Sequence, residues 1–89
     1  MMPRYRTMQD AVKEFQTAFN RPTGLKFSDV ETSRSVANTF GLRQALIQEE
    51  FYELVEAMNE KNEQNIKKES ADLLYVLAGL FVDFGWDMQ

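Results

Sequence analysis

The 89-residue chain has neither cysteine nor histidine, and only two prolines and four glycines. Without cysteine there are no disulfides and no thiolate-held zinc or iron–sulfur centre. Without histidine the commonest zinc and iron ligand is missing, and so is the usual general base near neutral pH. A metal in this protein has to be held by oxygen, a donor set that selects Mg²⁺, Mn²⁺ or Ca²⁺. A membrane-length apolar run is also lacking. The greasiest stretch, Leu73 to Val82, is too short to span a bilayer and is flanked by Asp72 and Asp83. The opening Met1-Met2-Pro3-Arg4-Tyr5-Arg6 has no apolar signal core, so a cytoplasmic location is expected. The length suits one domain, 1–89, near the size at which a single core is barely sufficient.

What is present is acid in unusual places. From Leu42 to Met58 apolar residues recur at helical spacing, with neither glycine nor proline after Gly41. At about 100° per residue, Leu42, Leu46, Glu49, Glu50, Glu53 and Ala57 share one side; Ile47, Phe51, Leu54, Val55 and Met58 share the other. The first side is thus interrupted by three carboxylates within about a turn. Like charges at these spacings cost a helix roughly 0.2–0.5 kcal/mol per pair, and burying an unpaired carboxylate costs several. A solvated acidic face would explain the pattern. A cation cage explains it as well, and is favoured by a second pair, Glu69-x-x-Asp72, that opens an otherwise apolar helix. The net charge of −4 belongs largely to these residues: setting aside Glu49, Glu50, Glu53, Glu69 and Asp72 leaves nine acids against ten bases. That disfavours a generic nucleic-acid surface but admits a polyanion delivered with its cations.

The remaining elements follow from caps and breakers. Thr7 is a fair N-cap for a first helix running to about Asn20, before Pro22, with Met8, Ala11, Val12, Phe15 and Phe19 as its apolar stripe. Phe15 and Phe19 suit the core, or could stack on a base. Arg21 to Thr39, with Pro22, Gly24 and the polar run from Ser28 to Ser35, reads as a loop in which Lys26, Arg34 and Asn38 could meet a ligand. A long helix is expected from about Thr39 to Lys61, and a third from an Asn62 cap to Phe84, stopped by Gly85. A helix apolar on every side must be covered on every side, and two others cannot do that. The expected fold class is therefore all-α, a helical bundle completed by oligomerisation as a homodimer or homotetramer. Asp83, about 16 Å beyond Asp72, is too far along its helix to join the same cage.

Glu49-Glu50-x-x-Glu53 followed by Glu69-x-x-Asp72 resembles the signature of the all-α NTP pyrophosphatases, the MazG-like superfamily. The setting matches too: Arg43-x-Ala45-Leu46-Ile47-x-Glu49-Glu50, then Glu53-Leu54-x-Glu56-Ala57, then Leu73-Leu74-Tyr75-Val76 after Asp72, and a Phe84-Gly85 ending. The opening Val12-x-x-Phe15-x-x-Ala18-Phe19-Asn20-x-Pro22 is similar to the branch related to phosphoribosyl-ATP pyrophosphatase. The resemblance implies hydrolysis of a (deoxy)nucleoside triphosphate to the monophosphate and pyrophosphate, with Mg²⁺ as cofactor and Mn²⁺ as a possible substitute. Glu50, Glu53, Glu69 and Asp72 would be the metal ligands. Glu49 would hold a further ion or orient the attacking water, which makes Glu49 and Glu50 the catalytic pair. Relatives often continue past the Phe-Gly turn into a tail that helps hold substrate. Phosphate contacts are here expected from Arg43, Lys67, Lys68, Arg34 or a neighbouring subunit. For the base, Phe15, Phe19 and Tyr75 are the wall candidates, and Gln16, Asn20 and Asn38 the edge readers.

The physics is consistent: a triphosphate and a carboxylate cage repel each other unless divalent ions stand between them. Two other readings remain, a phosphoribosyl-ATP pyrophosphohydrolase with a larger, more basic pocket, and a non-catalytic helical interaction module whose acids are only surface. A di-iron bundle fits poorly, because its Glu-x-x-His pairs are impossible here.

Overall fold

The structure is a computed structural model that describes residues 5–88; of the stretch read for a signal core, residues 1–4 lie outside it. Among the described residues the chain is all-α, without strands. Helix α1 spans Tyr5–Ala18, α2 Arg34–Asn59 and α3 Glu63–Asp83, with a single 3-10 turn at Phe27–Asp29 between α1 and α2. Among the described residues no helix is long and apolar enough to cross a membrane.

Helix α2 begins five residues before the expected Thr39. The side chain of Ser33 accepts a hydrogen bond from Val36 N at 3.4 Å, so part of the polar run that reads as loop is a cap and a first helical turn. Short hydroxyl side chains favour caps over helix interiors, and polarity alone does not separate a cap from a loop. The 3-10 turn is pinned by aromatic contacts. Rings of Phe27, Phe40, Phe84 and Trp86 gather with centroids 5.4 to 6.0 Å apart in the contacting pairs. Helix α3 stops as expected at Gly85, whose φ of 68° a residue with a Cβ rarely adopts.

Helix α3 is central, packed on α2 along one side and on α1 along another. The core is made of small side chains: Val12, Ala78 and Val82, with Met8 and Met88 against them. Phe15 and Phe19 lie outside it, 50% and 66% exposed, because α1 turns Val12 and Gln16 inward instead. The expected burial of α3 on every side is met within this chain only around Ala78, Gly79, Val82 and Asp83; Leu74 and Tyr75 are exposed. On α2 the side carrying Phe51, Tyr52, Val55 and Met58 is likewise open. The shape is long, 43 × 29 × 22 Å, with a radius of gyration of 14.3 Å. A compact domain of this length would have about 12 Å.

Candidate metal centre

A three-residue turn sets the register of the site. Helix α2 ends at Asn59 and α3 begins at Glu63, with Lys61 left-handed at φ 55° between them. Asn62 N donates to Ala57 O at 3.1 Å, and the Asn62 side chain accepts from Asn65 N at 3.2 Å, closing the turn as a hairpin. Two antiparallel helices rise equally from such a turn, so residues equidistant from Lys61 meet. Glu53 faces Glu69, Glu50 faces Asp72, Leu46 faces Val76 and Arg43 faces Gly79. Both acid motifs therefore converge on one level of the hairpin, about 12–16 Å from the turn.

One carboxylate oxygen from each of Glu50, Glu69 and Asp72 lies within 4.8 Å of the others, and all three residues are half-buried. Glu50 Oε2 and Glu69 Oε2 are shielded from solvent and have no hydrogen-bond partner. Buried carboxylate oxygens facing one another without a donor are a costly arrangement, and three convergent hard oxygens are what a small divalent cation requires. The residues fit such an ion. The electrostatics point the same way. Desolvation, followed by the charges of Asp72, Glu69 and Glu49, holds the Glu50 carboxyl above its ordinary value of 4.5. Glu53 is also raised, first by its hydrogen-bonding contact with Glu69. Glu53 and Glu49 are exposed at the rim of the cluster. Beyond Glu53 a depression of about 150 Å³ continues toward the turn, lined by Glu56, Ala57, Glu60 and Asn65. Lys68 reaches Asp72 Oδ2 at 3.2 Å and Glu69 Oε1 at 3.3 Å, and these contacts raise its pKa.

About two turns from Glu50 on α2 lies a second polar group, which ties the three helices together. Arg43 Nε donates to Asp83 Oδ2 at 2.8 Å and Nη2 to Asp83 Oδ1 at 3.1 Å, a forked pair with both residues buried. Arg43 Nη2 also donates to Gln16 Oε1 at 3.3 Å, while Gln16 Nε2 donates to Asp83 Oδ1 at 3.0 Å and to Pro22 O at 2.9 Å. Both amide hydrogens of Gln16 are thereby used. Asp83 stands apart from the acid cluster, as its distance along α3 predicts, but its partnership with Arg43 is not evident from composition or periodicity. The legible signal was Gly79, a glycine inside an apolar helix, opposite Arg43 across the hairpin.

Between the two polar groups a pocket of about 160 Å³ is lined by Phe15, Gln16, Arg21, Arg43, Leu46, Tyr75 and Val76. Leu46 and Val76 are each one turn from an acid, Glu50 and Asp72, so the pocket adjoins the cluster. Phe15 and Tyr75 meet edge to face at 6.4 Å, and Phe19 packs on Phe15 at 4.6 Å. Asn20 is exposed where its left-handed backbone, φ 56°, ends α1. Asn38 is exposed on α2, about 18 Å along the helix from Glu50. The structure thus brings together Glu50, Glu53, Glu69, Asp72 and Lys68, places Phe15, Gln16, Arg43 and Tyr75 around the adjoining pocket, and leaves Asn38 apart. Arg21, Leu46 and Val76 were not singled out from the sequence.

Comparison with known proteins gives a concordant picture. The profile of the phosphoribosyl-ATP pyrophosphohydrolase family matches residues 6–89. An uncharacterised protein of Acanthamoeba polyphaga mimivirus is 38% identical over 83 residues, covering 93% of this chain and 33% of that protein. The chain thus spans about a third of the length of the curated relative it matches. No solved structure matches it at a significant level.

Proposed function

Because the chain belongs to the phosphoribosyl-ATP pyrophosphohydrolase family, we propose that it is a Mg²⁺-dependent hydrolase of (deoxy)nucleoside triphosphates. It would release the monophosphate and pyrophosphate and so control the nucleotide pool. The observation that supports this best is the pair of buried carboxylate oxygens on Glu50 and Glu69 that lack any partner, one helical turn from an aromatic-walled pocket.

In this reading Glu50, Glu69 and Asp72 hold Mg²⁺, or Mn²⁺ in its place, with Glu53 at the edge of the set. When bound, such an ion neutralises the triphosphate and acidifies water. Exposed Glu49 orients the attacking water and takes its proton as the water oxygen bonds to the α-phosphorus and the bond to pyrophosphate breaks. Phe15 and Tyr75 wall the base. Lys68, at the outer edge of the cluster, is the cation nearest the phosphates. A second subunit against the open side of α2, giving a homodimer or homotetramer, belongs to the same proposal. It would cover Phe51, Val55 and Met58, on the side of α2 opposite Glu50 and Glu53, together with the exposed Tyr52 beside them.

The family's description favours a second reading, phosphoribosyl-ATP as the substrate. That molecule carries an additional sugar phosphate and asks for more basic groups. Arg21 is available at the pocket, but Arg43 is engaged by Asp83. The two readings separate in one assay, in which a panel of nucleoside triphosphates and phosphoribosyl-ATP is incubated with and without Mg²⁺ and the products are identified. Pyrophosphate from a simple triphosphate, abolished by chelation, supports the proposal. Release of orthophosphate alone would sink it, and absence of Mg²⁺ binding by calorimetry would favour a non-catalytic helical module.

A further inference from the structure

Lys68 lies where an ordinary surface lysine has little reason to stay. Its ammonium spans two of the three clustered carboxylates, 3.2 Å from Asp72 Oδ2 and 3.3 Å from Glu69 Oε1, while its side chain is 66% exposed. A lysine N-terminal to its acid at i,i+4 is the weaker helical orientation, and exposed pairs contribute little. What holds it is the field of the whole cluster. Lys67, one residue earlier, reaches only Glu63, at 3.5 Å and one turn toward the hairpin end. The Lys68 ammonium also compensates only half of the cluster: Glu50 Oε2 and Glu69 Oε2 remain without a partner.

We infer that Lys68 is a tethered counter-ion, which caps the outer oxygens of Glu69 and Asp72 in the metal-free protein, gives way when a divalent cation binds, and then pairs with phosphate oxygens of the incoming substrate. This rests on the proposed function and assigns to one residue the change of partner between the metal-free and the metal-loaded site. A divalent cation drawn by Glu50, Glu69 and Asp72 cancels the field that holds the ammonium. The four-carbon stem is flexible and solvated, so it can swing without disturbing α3. A polyanion approaching the same edge offers the ammonium a new partner.

Two measurements on the full chain test this. Calorimetric titration with Mg²⁺ alone at low salt is expected to show binding roughly thirtyfold tighter in Lys68→Met than in wild type, because a competing unit charge about 4 Å from a divalent ion is gone. The KM for the preferred nucleotide is expected to rise roughly tenfold in Lys68→Met, and to be largely restored in Lys68→Arg. Opposite movement of metal affinity and substrate affinity is the signature, since removing a lysine that only neutralises the carboxylates would tighten the metal without raising KM. Independently, acetylation followed by peptide mass spectrometry is expected to show Lys68 reacting several-fold faster when Mg²⁺ is saturating, with Lys67 as an unchanged internal control. If wild type binds Mg²⁺ but Lys68→Met binds it no tighter, or Lys68 gains no reactivity over Lys67, the inference is wrong and the hydrolase reading stands. If wild type binds no Mg²⁺, both fall.

Discussion

The guanidinium of Arg43 lies directly on Gly79. A Cβ at that glycine would sit 2.4 Å from Arg43 Nη1 and 2.6 Å from Cζ, inside the distances real atoms tolerate. Glycine inside a helix costs roughly 0.5–1 kcal/mol relative to alanine, so helix propensity argues against the residue and packing argues for it. Gly79→Ala is expected to evict Arg43 from its fork on Asp83. The net loss of stability should be about 2–4 kcal/mol, the cost of a broken buried pair less the gain in propensity. Urea denaturation decides the point: a stabilised Gly79→Ala variant would mean that Arg43 does not need the space.

Asp83 is 1% exposed, and its carboxylate accepts from both Arg43 and Gln16. Arg43→Met therefore strands a buried charge and is expected to cost roughly 3–5 kcal/mol. The double variant Arg43→Met with Asp83→Leu should recover most of that, because two apolar residues of similar bulk leave nothing unpaired. Gln16→Ala should lower stability by about 1–3 kcal/mol through lost bonds to a charged group, with little effect on base preference since its amide donors are already used. Failure of the double variant to recover stability would show that the network does more than satisfy its own charges.

The acid cluster predicts opposite pH responses with and without metal. Glu50 and Glu53 have folded-state values raised above 4.5. A raised carboxyl binds its proton more tightly when folded, so protonation stabilises the fold. That contribution is complete below about 4.5 and is lost as pH rises through the raised values. The metal-free protein should therefore gain thermal stability from these groups as pH falls from neutral toward 5. In saturating Mg²⁺ the sign reverses, because the ligands must be ionised to bind. Glu50→Gln should raise the metal-free Tm at pH 7 by a few degrees and abolish the Mg²⁺-induced rise. Parallel pH trends in chelator and in Mg²⁺ would contradict the metal assignment.

Helix type and the acid motifs were legible because each is local. The apolar period, the Asn62 cap and the Gly85 stop identify their elements without reference to any neighbour. The start of α2 lies earlier than its polarity suggests because Ser33, Arg34, Ser35 and Asn38 are polar for different reasons, Ser33 as a cap and the others on the exposed side of the first turns, while Val36 between them is buried. Which face of α1 is buried depends on Gln16 reaching Asp83, a contact 67 residues apart that no periodicity carries. Phe15 and Phe19 were thus free to read as core or as stacking groups, and the structure places both outside. The register of the hairpin is not legible in the same way: expected ends at Lys61 and Asn62 leave no turn and centre the pairing one residue too late, whereas the early end of α2 at Asn59 centres it on Lys61 and sets Glu50 against Asp72 and Arg43 against Gly79.

The pocket beside the cluster separates binding of the base from binding of the metal. Its apolar walls are Phe15, Leu46, Tyr75 and Val76, and Tyr75 is 44% exposed, so its ring has a face available to a ligand. A base stacked on an aromatic side chain gains about 1–3 kcal/mol, and stacking tolerates any base because every base has a π-face. Tyr75→Ala and Phe15→Ala are therefore expected to lower kcat/KM for nucleoside triphosphates by roughly 5- to 150-fold. The loss should fall mainly on KM, because the same ring contact is made in the ground state and in the transition state. Mg²⁺ affinity should be unchanged, as neither residue touches Glu50, Glu69 or Asp72 through a polar group. Both side chains are already half-exposed, so the variants should fold. Steady-state kinetics across a panel of bases, alongside Mg²⁺ calorimetry, is the check. Unchanged KM in both variants would place the base elsewhere, and a weakened Mg²⁺ site would mean that Tyr75 supports the cluster rather than the nucleotide.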